Sequence, residues 1–172
     1  GAAGENTEII GGKKLTGWQQ ESDYIYKTHV GKVWQFYCLF ENGKRCTMAR
    51  TPDLGYFSVC KKIDATHFGY GFENLPEGLD YSDAHIVGWQ KGQWWTITQP
   101  IVDINFVSRV LTIEDPTGWG LEEGNRFFIQ GSKDFLDRPG EFYLDQSSGW
   151  LYYWPMKIPI ESQEIIAPKT RR

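Results

Sequence analysis

Between Leu15 and Ile166 the chain breaks into short runs of β-branched and aromatic residues, each bounded by Gly, Pro, Asn or Asp. That rhythm predicts the strands of an all-β domain, an antiparallel β-sandwich or barrel, and leaves helix little room, less than about a fifth of the residues. The clearest hairpin joins residues 34–40 to residues 45–50 through Glu41-Asn42-Gly43-Lys44, because Asn-Gly supplies the positive φ angles of a type I′ turn. Pro52 and Gly55 then end the second strand, since proline has no N–H for a ladder and glycine frees a turn. Four further runs, residues 84–89, 94–98, 101–106 and 109–113, predict a meander. In the stretch 61–83, Gly69, Gly71, Pro76 and Gly78 break any period and predict a long loop with a strand around residues 68–72. The one helical signal is Ser132 capping residues 133–137, stopped by Pro139-Gly140. A second hairpin pairs residues 141–145 with residues 150–154 across Gln146-Ser147-Ser148-Gly149.

A chain of 172 residues has the size of one domain with a substantial core, so residues 1–172 read as a single β domain, with 1–14 and 167–172 as flanking or frayed segments. Eight Trp, nine Tyr and ten Phe exceed what turns need and favour strands and flat contact surfaces. The net charge of −4 is spread without basic blocks, which removes the electrostatic footprint of a nucleic-acid binder. No run approaches the ~20 apolar residues of a membrane-spanning helix, so no membrane partner is expected. The start Gly1-Ala2-Ala3-Gly4 reads as a junction rather than a signal peptide. Cys38, Cys46 and Cys60 lack CxxC spacing and no His stands near them, so no metal site is expected and the thiols read as small apolar residues. Cys38 and Cys46 could also face each other across the first hairpin. His29, His67 and His85 lie in separate segments without metal or nucleophile spacing. No phosphate loop or nucleophile elbow occurs, and no cofactor is expected.

Three stretches carry a resemblance: residues 124–130 (Gly-Asn-Arg-Phe-Phe-Ile-Gln), residues 135–145 (Phe-Leu-Asp-Arg-Pro-Gly-Glu-Phe-Tyr-Leu-Asp) and residues 149–155 (Gly-Trp-Leu-Tyr-Tyr-Trp-Pro). With the earlier Asn42-Gly43-Lys44-Arg45, Ala49-Arg50-Thr51-Pro52 and Gly55-Tyr56-Phe57, they resemble the β-rich insertion of right-handed parallel β-helix carbohydrate-active proteins. Residues 9–18 are similar to the strand that precedes such an insertion, and residues 165–168 to the point where the helix resumes. The resemblance implies a sandwich-like domain with neighbouring ends, an extracellular or periplasmic setting, a flanking β-helix domain and a glycoside hydrolase or polysaccharide lyase context. In such proteins the catalytic acids come from the helix coils, so it implies no catalytic residue here.

Glycoside hydrolysis needs two carboxylates held roughly 5 to 10 Å apart, and Asp134, Asp137 and Glu141 are the residues to weigh. Asp134 and Asp137 read as serving the short helix and its turn, and Glu141 as the partner of a buried Arg. Arg50 and Arg126 lie within β runs between large apolar neighbours and are expected to be structural, packed beside rings and bonded to carboxylates or carbonyls. Of the aromatics, Trp34, Phe36, Phe127, Tyr143 and Tyr153 occupy alternating strand positions and read as core. Trp94 and Trp95 cannot both point inward, because adjacent strand residues face opposite sides. One of them is therefore expected outside. Tyr70, Phe72, Tyr81 and Trp119 stand in loop-like sequence, where binding residues concentrate. Exposed rings offer a platform for the apolar face of a pyranose, with polar side chains at its edge. The expected partner is a polysaccharide or oligosaccharide, bound without turnover at Trp94, Trp95, Trp119, Tyr70 and Tyr81. The alternatives are a purely structural insertion of a parallel β-helix hydrolase or lyase, and an independent glycosidase using its acidic residues.

Overall fold

The computed structural model describes residues 11–71, 75–90, 92, 94–115 and 120–169. It is an all-β fold, as expected. In chain order the strands are β1 (Gly12–Lys14), β2 (Gln19–Gln20), β3 (Tyr26–His29), β4 (Phe40–Glu41), β5 (Lys44–Arg45), β6 (Thr47–Met48), β7 (Arg50–Thr51) and β8 (Phe57–Lys62). They continue as β9 (His67–Tyr70), β10 (His85–Gln90), β11 (Trp95–Asn105), β12 (Val110–Ile113), β13 (Arg126–Gln130), β14 (Glu141–Asp145), β15 (Trp150–Tyr153) and β16 (Ile165–Pro168). The helical residues described are two 3-10 turns, Lys133–Phe135 and Ile160–Ser162. The first is capped by Ser132, whose hydroxyl accepts the Asp134 N–H, so the expected helix exists but is one turn long.

The chain forms two compact units, one made of the chain up to Met48 together with the stretch from Arg138 onward, the other of Ala49–Asp137. The first unit carries a four-stranded sheet ordered β1-β16-β4-β5 and a five-stranded sheet ordered β2-β3-β15-β14-β6. Within them β6 runs parallel to β14 and the other pairings are antiparallel. Phe142 and Leu144 of β14, Leu151 and Tyr153 of β15, and Ile165 and Ala167 of β16 meet in its core, each at every second position, as a sheet with one buried face requires. The β14–β15 turn needs glycine at position 149: its φ is +78°, and a Cβ there would lie 2.7 Å from the Gly31 carbonyl carbon, closer than any side chain tolerates.

The second unit is a barrel. The order β10-β11-β12-β9-β8-β13 closes because β13 also pairs with β10, which removes the exposed edges an open sheet would leave. Val59, Phe68, Ile86, Leu111, Phe127 and Ile129 fill its interior, with Phe127 set against Phe57 and Phe68 at ring separations of 5.5 and 5.3 Å.

Three expectations need correction. The Asn42-Gly43 turn is present, with φ of +49° and +77°, but its strands are only two residues long, and residues 34–39 form no strand. Phe36 and Leu39, three apart, are the buried members of that stretch, a spacing incompatible with the two-residue period of a ladder. The runs 94–98 and 101–106 are one strand: β11 pairs with β10 through Pro100, then with β12 from Ile101 onward. Pro100 is tolerated because the strand changes partner there, beside an irregularity in register between Ile101 and Asp103. The stretch 61–83 is more ordered than its glycines suggest, since β8 and β9 form a hairpin whose turn is tied by the Asp64 carboxylate accepting from Thr66 and His67.

Candidate functional site

The β10–β11 hairpin ends at a turn through Gly92 and Trp94, and β11 starts at Trp95. Trp94 is 79% exposed and Trp95 60% exposed. The inference that one of the two must leave the core understates the result: both do. Trp94 lies in the turn, outside the alternation. Trp95 is opposite the buried Gln90 in the last described pair of that ladder, and most of its side chain remains in contact with water. Gly92 adopts φ +69°, which favours glycine in this turn, and the Trp94 indole lies beside it at ordinary contact distance. Thr96 and Thr98 follow on the same strand as exposed hydroxyls, and the Gln90 Nε2 is buried without a hydrogen-bond partner. The two adjacent indoles place exposed apolar ring area at the start of a strand whose exposed Thr96 and Thr98 carry hydroxyls.

The other aromatic candidates do not join it. Tyr70 is 4% exposed and packs inside the barrel, because its segment is the strand β9 rather than a loop; burial raises its phenol pKa. Tyr81 is half-buried, its hydroxyl donating to the Pro76 carbonyl and its ring 5.5 Å from Phe135. Neither presents a ring face of the kind stacking needs. Trp119 and Phe72 lie outside the described residues.

Arg50 and Arg126 sit in an aromatic cluster of the second unit. Arg50 Nε donates to the Pro52 carbonyl at 2.9 Å and Nη2 to the Gly55 carbonyl at 2.6 Å, and its guanidinium lies 3.8 Å from the Phe128 ring centroid. Arg126 lies 4.6 Å from Tyr56 and 4.8 Å from Trp89. Asp134 accepts the Asp80 N–H at 2.8 Å, Asp137 is exposed and Glu141 is 2% exposed. The histidines stay apart: His29 against Trp150, His67 against Asp64, and His85 on β10. The cysteines are free thiols. Cys46 is buried beside Tyr153, and burial pushes its thiol pKa up to about 11, the behaviour of an inert core thiol. Its neighbour Tyr153 donates to the Glu41 carboxylate, which also accepts the Met156 N–H at 2.8 Å.

One aromatic surface escaped the sequence reading. On β15, Leu151 and Tyr153 are buried, while Trp150 and Tyr152 point to the opposite side and are half-buried. Tyr143 of β14, expected in the core, stacks on Tyr152 from that same side, with ring centroids 6.1 Å apart at 24°. The signal was available in the run Trp150-Leu151-Tyr152-Tyr153-Trp154, in which positions 150, 152 and 154 are aromatic on one face while Leu151 and Tyr153 fill the other.

No family model matches the chain, and no curated protein matches it. Among solved structures it is similar to a chain named "Glycoside hydrolase", with a TM-score of 0.79 and 20% identity, over 97% of this chain and 33% of that one. The chain thus spans about a third of the length of that structure, and at this identity the likeness is one of fold.

Proposed function

We propose that this chain is a non-catalytic carbohydrate-binding accessory domain of a polysaccharide-active enzyme, acting outside the cytoplasm and meeting a polysaccharide or oligosaccharide through Trp94 and Trp95. The observation that carries the reading is the pair of adjacent indoles left open at one end of a closed barrel, 79% and 60% exposed. Hydrophobic burial gives no reason to place them there, whereas stacking on the C–H face of a pyranose does. The likeness to about a third of a chain named "Glycoside hydrolase" supports the same context, with turnover assigned to parts of such a protein outside this domain.

A second reading, a structural insertion beside a flanking β-helix domain, is favoured by the pairing of β1 with β16, which brings Gly12 opposite Pro168. Affinity electrophoresis and calorimetry against plant and algal polysaccharides separate the two. The accessory-domain reading expects binding that Trp94→Ala and Trp95→Ala each weaken by about 1 to 3 kcal/mol, roughly five- to a hundredfold, at unchanged melting temperature. Binding by no glycan hands the case to the insertion reading. Cleavage abolished by Glu141→Gln overturns the non-catalytic assignment.

A further inference from the structure

We infer that the outer face of the five-stranded sheet in the first unit is a second carbohydrate surface, shaped for an extended chain of neutral hexopyranose units lying along β15; this rests on the carbohydrate-binding reading above. In an antiparallel sheet with one face in the core, the other face is where polar residues cost least. Here Trp150 and Tyr152 occupy that face of β15, and Trp154, two positions further on, is half-buried as well. At the rise of a strand, that row spans about 13 Å, the dimension of a linear oligosaccharide rather than of one ring.

Each ring is held by a neighbour. Trp154 is stacked on Tyr24 with centroids 4.8 Å apart at 10°, and Tyr24 is itself 61% exposed. Tyr152 is stacked on Tyr143. Trp150 has the His29 ring edge-on at 5.2 Å and the Lys27 ammonium 5.2 Å from its centroid. Rings fixed before a ligand arrives lose little freedom on binding, which is the property that separates a platform from a collection of surface aromatics.

Charge selects the occupant. Lys27 is bonded to Glu21. Asp145 at the end of β14 accepts the hydroxyls and N–H groups of both Ser147 and Ser148. Lys27 and Glu21 cancel, whereas Asp145 keeps its negative charge because its partners are uncharged serine groups, so these groups leave the face with a negative charge that repels a uronate chain and leaves a neutral one indifferent. What it offers is aromatic ring area, which suits the C–H faces of a neutral sugar.

Indole resonances of the intact protein labelled at tryptophan test this without a variant. Titration with neutral cello-, xylo- and galacto-oligosaccharides is expected to shift the Trp150 and Trp154 signals and to leave in place Trp18, which is partly buried against the core, while oligogalacturonate and oligoalginate leave Trp150 and Trp154 unmoved. Trp154→Ala and Tyr24→Ala are each expected to weaken binding at least fivefold. Shifts confined to Trp94 and Trp95 would sink this second surface and leave the proposed function standing. Shifts of Trp150 and Trp154 only with the acidic oligomers would overturn the ligand class. Concentration-dependent shifts without sugar, with a dimer in sedimentation, would give the face to a second copy of the chain. If no oligosaccharide moves any indole, both readings fall together.

Discussion

Replacing Arg50 by Met puts the structural reading of the arginines to a quantitative test. The side chain ties the turn after β7 back on itself through the carbonyls of Pro52 and Gly55, and lies flat on Phe128. A hydrogen bond from a charged donor contributes about 1.5 to 3 kcal/mol when it is shielded. Asp53, Leu54 and Gly55 are exposed, so water replaces part of each bond and about 1 kcal/mol apiece is the appropriate figure. The guanidinium–ring contact adds about 0.5 to 1 kcal/mol at a partly exposed site, while Met keeps the apolar stem. The expected loss is about 2 to 3 kcal/mol, read as a lower urea midpoint at constant slope and a melting temperature about 4 to 12 °C lower. Arg50→Lys restores the charge without the planar fork that reaches two carbonyls at once, and is expected to recover no more than half. A Met variant with an unchanged midpoint would show that the guanidinium is solvated. Complete recovery in the Lys variant would show that charge alone matters and that the two-carbonyl geometry contributes nothing.

Two further outcomes follow from the buried and turn hydrogen bonds. Tyr153→Phe takes the hydroxyl donor away from the buried Glu41 carboxylate and should cost about 1.5 to 3 kcal/mol in urea denaturation; an unshifted midpoint would mean that the hydroxyl contributes nothing there. The Asp64 carboxyl is held below its ordinary pKa, chiefly by the Thr66 N–H, then by the His67 side chain and N–H. A folded pKa depressed in this way gives stability that is full above the unfolded value of about 3.9 and lost as pH falls through the folded one. The melting-temperature gap between the wild type and Asp64→Asn should therefore persist above about pH 4 and shrink below it; a gap that is flat down to pH 2 would refute the assignment.

The architecture was legible where local chemistry decides it. Asn42-Gly43 makes its turn because both residues accept positive φ, and Ser132 caps a turn because its hydroxyl reaches the Asp134 N–H. Legibility failed where a distant partner decides. Nothing local to Gln99-Pro100 says that β11 crosses from one neighbour to another there, and nothing near Tyr70 says that β8 and β12 will enclose it. The Trp94-Trp95 pair was found by a sound rule applied one residue too far into the strand, since the alternation begins at Trp95. The row on β15 was missed because large apolar residues at successive positions satisfy the core and the water-facing side alike, so composition could not tell the two faces apart.

The pairing of β1 with β16 bears on how the first unit responds to force. Gly12 lies opposite Pro168 and Lys14 opposite Ile166, so the two strands run antiparallel with their outer ends side by side. A pull applied through residues 12 and 168 loads the ladder from that one end, parting its hydrogen bonds in turn rather than shearing them together. The Leu15 N–H, bonded to the Ile165 carbonyl, is reached only after the outer pairs have opened. Traction along the chain therefore meets this unit at its weakest direction, and the four-stranded sheet peels from the β1 edge at low load, whereas in the barrel β10 and β13 close the ring on each other.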